Sequence, residues 1–285
     1  MKGSEQKLIS YLQGSDKRFV IPVYQRKYDW KLENCKKLYE DLLKVVRQPL
    51  KSHFFGSIVS YYNADAEKEE YQIIDGQQRI TTISLLLLAM YHLMKQGIVQ
   101  PEKENLPKKI YNTYLVDEYG DEDDYIKVTP VKSDREAFLR LFAGDASEYI
   151  ASAHATLNYQ YFYDCIRKEE VSIDDLFNAI SKLEIINIKL NHEDNPQLIF
   201  ESLNSTGLAL SESDKIRNLI LMSLSTKEQN LYHEKYWSKI EKCTGDEISN
   251  FIRDYLSIQQ QTIPAMNKVY FTFKTYVEES KIDIG

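Results

Sequence analysis

The chain has 285 residues, 43 acidic and 36 basic side chains, a formal charge of −7 and an apolar fraction of 43%. Such a chain can build one large domain or two modest ones around a real core, which excludes wholesale disorder and a fibrous repeat. Its acidic balance disfavours broad electrostatic adhesion to DNA, and the local basic pairs (Lys17-Arg18, Arg26-Lys27, Lys36-Lys37, Lys108-Lys109) read singly as solvated faces.

Cys35, Cys165 and Cys243 lie far apart without CxxC spacing, which points to free thiols in a reducing cytoplasm, with neither disulfides nor a zinc site. The polar start is no secretory signal, and the longest apolar run, 80–94, is shorter than the roughly 20 residues a membrane span needs. A cytoplasmic protein with no membrane partner is expected.

In chain order, residues 5–12 read as a short helix and 18–23 as a strand with Pro22 near its end. The polar-aromatic cluster Tyr24, Gln25, Arg26, Tyr28 and Trp30 follows, on a loop at a strand terminus. It offers π faces, an amide and a guanidinium fork, although Tyr28 and Trp30 fit a core equally well. Leu32, Cys35, Leu38, Leu42 and Val45 recur at helical spacing and predict a helix over 32–47. A strand over 53–62 contains Gly56, which permits close approach of a backbone or ligand. A charged hairpin loop over 63–70 returns the chain to a strand ending at Asp75.

Asp75-Gly76 is a tight turn, and a helix over 77–95 follows, apolar on nearly every face and so central to the core. The first N–H groups of such a helix lack internal partners and favour an anion, above all a phosphate. Arg79 adds a charge-assisted donor, Asp75 a carboxylate for a divalent cation or a water, and Gly76 room for close approach. The plainer alternative is that Asp75 caps the helix and Arg79 is a surface side chain.

Beyond 96 come a connector with Pro101 and Pro107, short strands over 111–116 and 125–129 around the acidic loop 117–124, and helices over 133–142 and 147–167. A strand follows over 183–190, then a helix over 196–203, a polar turn to 210, and a helix capped by Ser211-Glu212-Ser213-Asp214 that runs to about 224. Residues 227–276 are helical and aromatic-rich. The pattern is α+β: a small mixed sheet with helices, then a mainly α-helical region. No P-loop, no GxGxxG and no paired His-Asn-His metal arrangement occurs.

Asp75-Gly76-Gln77-Gln78-Arg79 with Thr81-Thr82 resembles the DGQQR motif of the DUF262 family, the N-terminal domain of GmrSD-type modification-dependent restriction enzymes. Three further stretches match in order: Ile21 to Trp30, Phe54 to Val59, and Phe200 to Ser211. The resemblance implies a ParB/sulfiredoxin-like core over 1–96, an extension over 97–225 that completes the site, and a helical segment over 226–285. It implies a nucleoside triphosphate with Mg2+ as ligands, and a type IV restriction or phage-defence role. Asp75, Gln77, Gln78 and Arg79 would then be catalytic, with Asp75 on the metal. Gly76, Thr81, Thr82, Asn204, Gly207, Asp214 and Lys215 would bind nucleotide, and Tyr24, Gln25, Arg26, Tyr28 and Trp30 would sense modified or phage DNA. The family's lysine near the end of the second motif is not evident, and Arg217 stands closest to its place. The expected partner is an HNH nuclease domain or subunit, a homodimer is an open arrangement, and the chain is read as an N-terminal fragment or short member. A nucleotide-gated module without turnover, or a purely structural interaction domain, are the competing readings.

Overall fold

The computed structural model describes residues 2–14, 17–48, 50–63, 69–117, 120, 125–191, 194, 198–200, 210–222 and 224–282. The chain forms two compact units, residues 1–22 with 27–194, and residues 23–26 with 195–285. In the first, six strands make one sheet: β1 (Lys2–Lys7), β2 (Lys17–Val20), β3 (His53–Asn63), β4 (Glu69–Asp75), β5 (Val128–Thr129) and β6 (Leu183–Leu190). Their spatial order is β1-β6-β3-β4-β2-β5. Strand β3 is antiparallel to β4 and parallel to β6, β2 is parallel to both β4 and β5, and β1 is antiparallel to β6. This mixed sheet with its helices is an α+β fold. Because β6 sits between β1 and β3, the sheet closes only when residues far beyond 96 have joined it.

Helices α1 (Leu8–Leu12), α2 (Leu32–Arg47), α3 (Gln77–Lys95), α4 (Leu106–Ile110), α5 (Lys132–Ala143), α6 (His154–Arg167) and α7 (Ile173–Ser181) complete the unit. The i, i+3, i+4 stripe of α2 buries Cys35, Leu38, Tyr39, Leu42, Leu43 and Val45, which leaves its polar face outward. By contrast α3 is buried on nearly every face, and it packs against α4 and α6. It is the axis of the main core.

Tertiary pairing overrides local preference in several places. Residues 5–7, expected as the start of the helix over 5–12, instead belong to the strand Lys2–Lys7 that pairs along β6, and only Leu8–Leu12 is helical. The aromatic run expected as a strand over 111–116 is a π-helical turn, Tyr111–Leu115. There Tyr111 stacks on Tyr91 of α3 with ring centroids 4.5 Å apart, while Tyr114 and Leu115 are buried. The helix expected over 147–167 is interrupted. Asp145 accepts from Ser147 N and holds a short 3-10 turn, and extended Ala153 caps α6 only at His154. Of the Lys17-Arg18 pair, Lys17 is buried, its ammonium 4.8, 5.5 and 4.9 Å from the ring centroids of Tyr11, Phe19 and Tyr71 and donating to Tyr11 O. Cation–π attraction replaces water there.

The second unit holds α8 (Glu212–Leu221), α9 (Thr226–Tyr232), α10 (Ser238–Thr244), α11 (Ile248–Gln260) and α12 (Val269–Glu279). Its core is Ile216, Leu219, Trp237, Ile252, Leu256, Val269 and Tyr270. Among the described residues, no helix is long and apolar enough to cross a membrane.

Helix α3 carries a titratable group into the main core. His92 on α3 is buried, its Nδ1 2.7 Å from the Tyr159 hydroxyl of α6, and burial, with Lys95 adding to it, pushes its pKa down to about 4. Between that value and the ordinary 6.5 the unfolded chain binds the extra proton, so stability falls as pH drops through this window. Full passage is worth about 3 kcal/mol. Urea unfolding at pH 7 and pH 4.5 should show this loss in the native sequence, and His92→Gln should shrink it by most of that amount.

Candidate functional site

Antiparallel pairing sets Val59 of β3 opposite Asp75 at the end of β4, so the chain just before Val59 borders the turn into α3. Two irregularities bracket this stretch of β3, one between Phe54 and Gly56 against β6 and one between Val59 and Ser60 against β4. Bulges of this kind bend a strand and re-aim its neighbours. Gly56 (φ +125°) and Gly76 (φ +94°) supply the backbone shape. A Cβ on Gly56 would lie 2.7 Å from Arg79 Nε, and one on Gly76 would lie 3.0 Å from Ser57 O and 3.2 Å from Arg79 Nη1. The close approach that Gly56 permits is therefore that of the Arg79 side chain.

Arg79 donates from Nη1 to Ser57 O, and the same nitrogen is 3.6 Å from Asp75 Oδ2. Asp75 and Arg79 each keep 27% of their side chains exposed, whereas Gly76, Gln77 and Gln78 between them are buried. The two charged ends of the motif reach the surface. Its middle does not.

Gln78 is committed elsewhere. Its Oε1 accepts from Asp29 N at 2.9 Å and Trp30 N at 3.1 Å, and its Nε2 donates to Lys27 O at 3.2 Å. All three partners are backbone groups, so the side chain fastens the 27–30 loop to the first turn of α3. Across from it, Asn158 of α6 donates to Trp30 O at 2.7 Å and to the Tyr28 hydroxyl at 2.9 Å, and Asp134 of α5 accepts from Tyr28 N at 2.6 Å. Burial raises the Asp134 carboxyl, and burial holds the Tyr28 phenol well above its usual range.

These contacts place several residues singled out in the sequence. Tyr28 is a core residue whose hydroxyl also meets Thr82 Oγ1 at 2.7 Å, and that threonine donates to Gln78 O. Thr81 and Thr82 are both buried. Tyr24 and Gln25 are buried as well; Arg26 and Trp30 are partly exposed. In the second unit, Asp214 accepts from Ser211 Oγ and from Arg217, while Lys215 pairs with Glu212 at 2.6 Å. Arg217 is buried and bonded to Tyr24 O, Asp214 and Glu241, so it works as a tie within that unit. Asn204 and Gly207 lie outside the described residues. Among the described residues no group of three or more His, Cys, Asp or Glu side chains converges as a cation site.

The partners of Gln78 were not readable from the motif, because the backbone it binds lies about fifty positions earlier in the chain. Gln78→Ala should strand the Asp29 and Trp30 amides and cost about 2 kcal/mol or more of stability, seen as a lower urea midpoint. Gly56→Ala should cost roughly 1–3 kcal/mol, since it meets both the guanidinium and a left-handed backbone. A variant as stable as the parent would contradict the cradle.

No curated protein matched the sequence. A family model described as GmrSD restriction endonuclease, N-terminal domain, matches residues 8–221, well over half of the chain. The protein belongs to the family of GmrSD restriction endonuclease N-terminal domains.

Proposed function

We propose that the first turn of α3 binds and hydrolyses a nucleoside triphosphate within a restriction or phage-defence system. The observation that supports this reading is the exposure pattern of residues 75–79, where a partly exposed carboxylate and a partly exposed guanidinium flank a buried, hydrogen-bonded middle at the N-terminus of the central helix. Both contacts of Arg79 engage Nη1, so the rest of its five-donor fork lies outside them and suits a phosphate oxygen. The helix terminus adds backbone donors and the positive end of a dipole. Asp75 is the one carboxylate of the turn, and magnesium is commonly held by one or two carboxylates together with substrate phosphates. When bound there, the ion would neutralise charge on the phosphates.

In this assignment Arg79 holds phosphate, Asp75 holds the ion or orients water, and Gln78 keeps the turn rigid. A DNA-sensing role for the neighbouring segment would fall on Arg26, which remains partly exposed where Tyr24 and Gln25 are buried. Its output would go to an HNH nuclease domain or partner. A second reading, nucleotide binding without turnover, draws on the full engagement of the Gln78 amide, which removes one water-orienting group from the list.

Arg79→Ala and Asp75→Ala should each lower the kcat for phosphate release by about 100-fold or more while leaving the melting temperature close to that of the parent. Phosphate release unchanged in both variants would refute the assignment. Calorimetric binding of nucleotide with no phosphate release by the parent would select the second reading.

A further inference from the structure

Strand β3 carries an aromatic ring that neither the core nor the hydrolytic assignment uses. Phe54 is 64% exposed, the highest value for a large apolar side chain among the described residues of the first unit, whereas Phe55 packs against the main core. Alternation along an unbroken strand would put Phe54 on the face of Gly56 and Ile58, where Ile58 joins the main core with Ile73 and Ile185. The irregularity between Phe54 and Gly56 breaks that pattern. Phe54 stands opposite Glu184 and Gly56 opposite Ile185, consecutive residues of β6. Phe54 therefore shares a face with Glu184, Ile186 and Ile188, and so with Ser57 and Val59, the partners of those isoleucines.

The second irregularity acts in the same way on β4. Ile73 stands opposite Ser60 and Asp75 opposite Val59, so Asp75 leaves the core face of Ile73 and joins the face of Val59. Two separate bulges thus bring Phe54 and Asp75 to one face of the sheet. Pairing of β4 with β3 begins at Val59, and just ahead of it Ser57 O accepts from Arg79 instead. The guanidinium rests against Gly56, two residues and at most about 7 Å of backbone from Phe54. A single exposed apolar side chain is ordinary; a bulge that turns it onto the face of the Asp75 carboxylate is a built feature. We infer that Phe54 is the platform on which the base of the nucleotide stacks while its phosphates lie at Arg79 and Asp75, an inference that rests on the nucleotide reading above. Every base has a π face, so the platform accepts nucleoside triphosphates as a class and does not select among bases.

The test measures, by calorimetry on the full chain with magnesium, the affinity for ATP, GTP and inorganic tripolyphosphate in the parent, Phe54→Ala, Phe54→Leu, Phe54→Tyr and Arg79→Ala. Removing the ring under one stacked base commonly costs about tenfold in affinity. Phe54→Ala and Phe54→Leu should therefore weaken ATP and GTP alike by about that factor, and Phe54→Tyr should stay within about twofold of the parent. All three should bind tripolyphosphate, which has no base, as the parent does, whereas Arg79→Ala should weaken every ligand. Melting temperatures of the Phe54 variants should match the parent, and Phe54→Leu keeps the apolar bulk as a control. Nucleotide binding weakened in Arg79→Ala but unchanged in Phe54→Ala and Phe54→Leu would overturn this inference alone. So would an equal loss of ATP and tripolyphosphate in those two variants. Failure of the parent to bind any of the three ligands would overturn both this inference and the reading beneath it.

Discussion

The carboxamide of Gln78 is the constraint on which the geometry of the first unit turns. By accepting from two consecutive amides and donating to a carbonyl two residues earlier, it binds the 27–30 loop to the head of α3 as a strand would bind its neighbour. Buried amides left unpaired are costly, so three partners for one side chain make the arrangement hard to distort. Tyr28 is then drawn inward, where Thr82 and Asn158 meet its hydroxyl, and α3, α5 and α6 converge on one loop. A helix terminus held this way does not fray, and pre-organised donors are what a phosphate site requires.

Several cations are spent inside the protein. Lys17 lies among aromatic rings, Lys127 donates to the carbonyls of Gly14 and Thr113, and Arg217 is saturated by one carbonyl and two carboxylates. All three are buried in a chain whose formal charge is already −7. With that formal charge, long-range attraction of phosphates is weak. In the proposed assignment an anion would be held by short-range donors, which gives Arg79 and the helix terminus their weight. Without the space beside Gly56, the guanidinium could not lie against β3.

Much of this fold is legible in the sequence where an element is defined by its own periodicity. The apolar stripe of α2, the uniformly apolar α3 and the β-branched run of β6 each appear over the residues their patterns imply. Elements whose state depends on a partner are less readable. Residues 2–7 are polar and become a strand because β6 offers a free edge, and the aromatic run 111–115 coils because Tyr91 lies beneath it. The site divides in the same manner. The strand, turn and helix around Asp75 to Arg79 follow from local pattern, whereas the bonds of Gln78 and the gap that admits Arg79 join positions distant in the chain. No local rule encodes them.

The polar density of residues 75–79 invites the reading that every side chain there acts on a ligand. Burial separates them into two kinds. Inward, Gln78 satisfies loop backbone, and Thr82 behind it closes a hydrogen-bonded path to Tyr28. Outward, Asp75 and Arg79 remain within reach of solvent and 3.6 Å apart, a spacing wider than a hydrogen bond. A pair that loose can open to admit an anion on one side and a cation or water on the other, which a tight bidentate pair would resist.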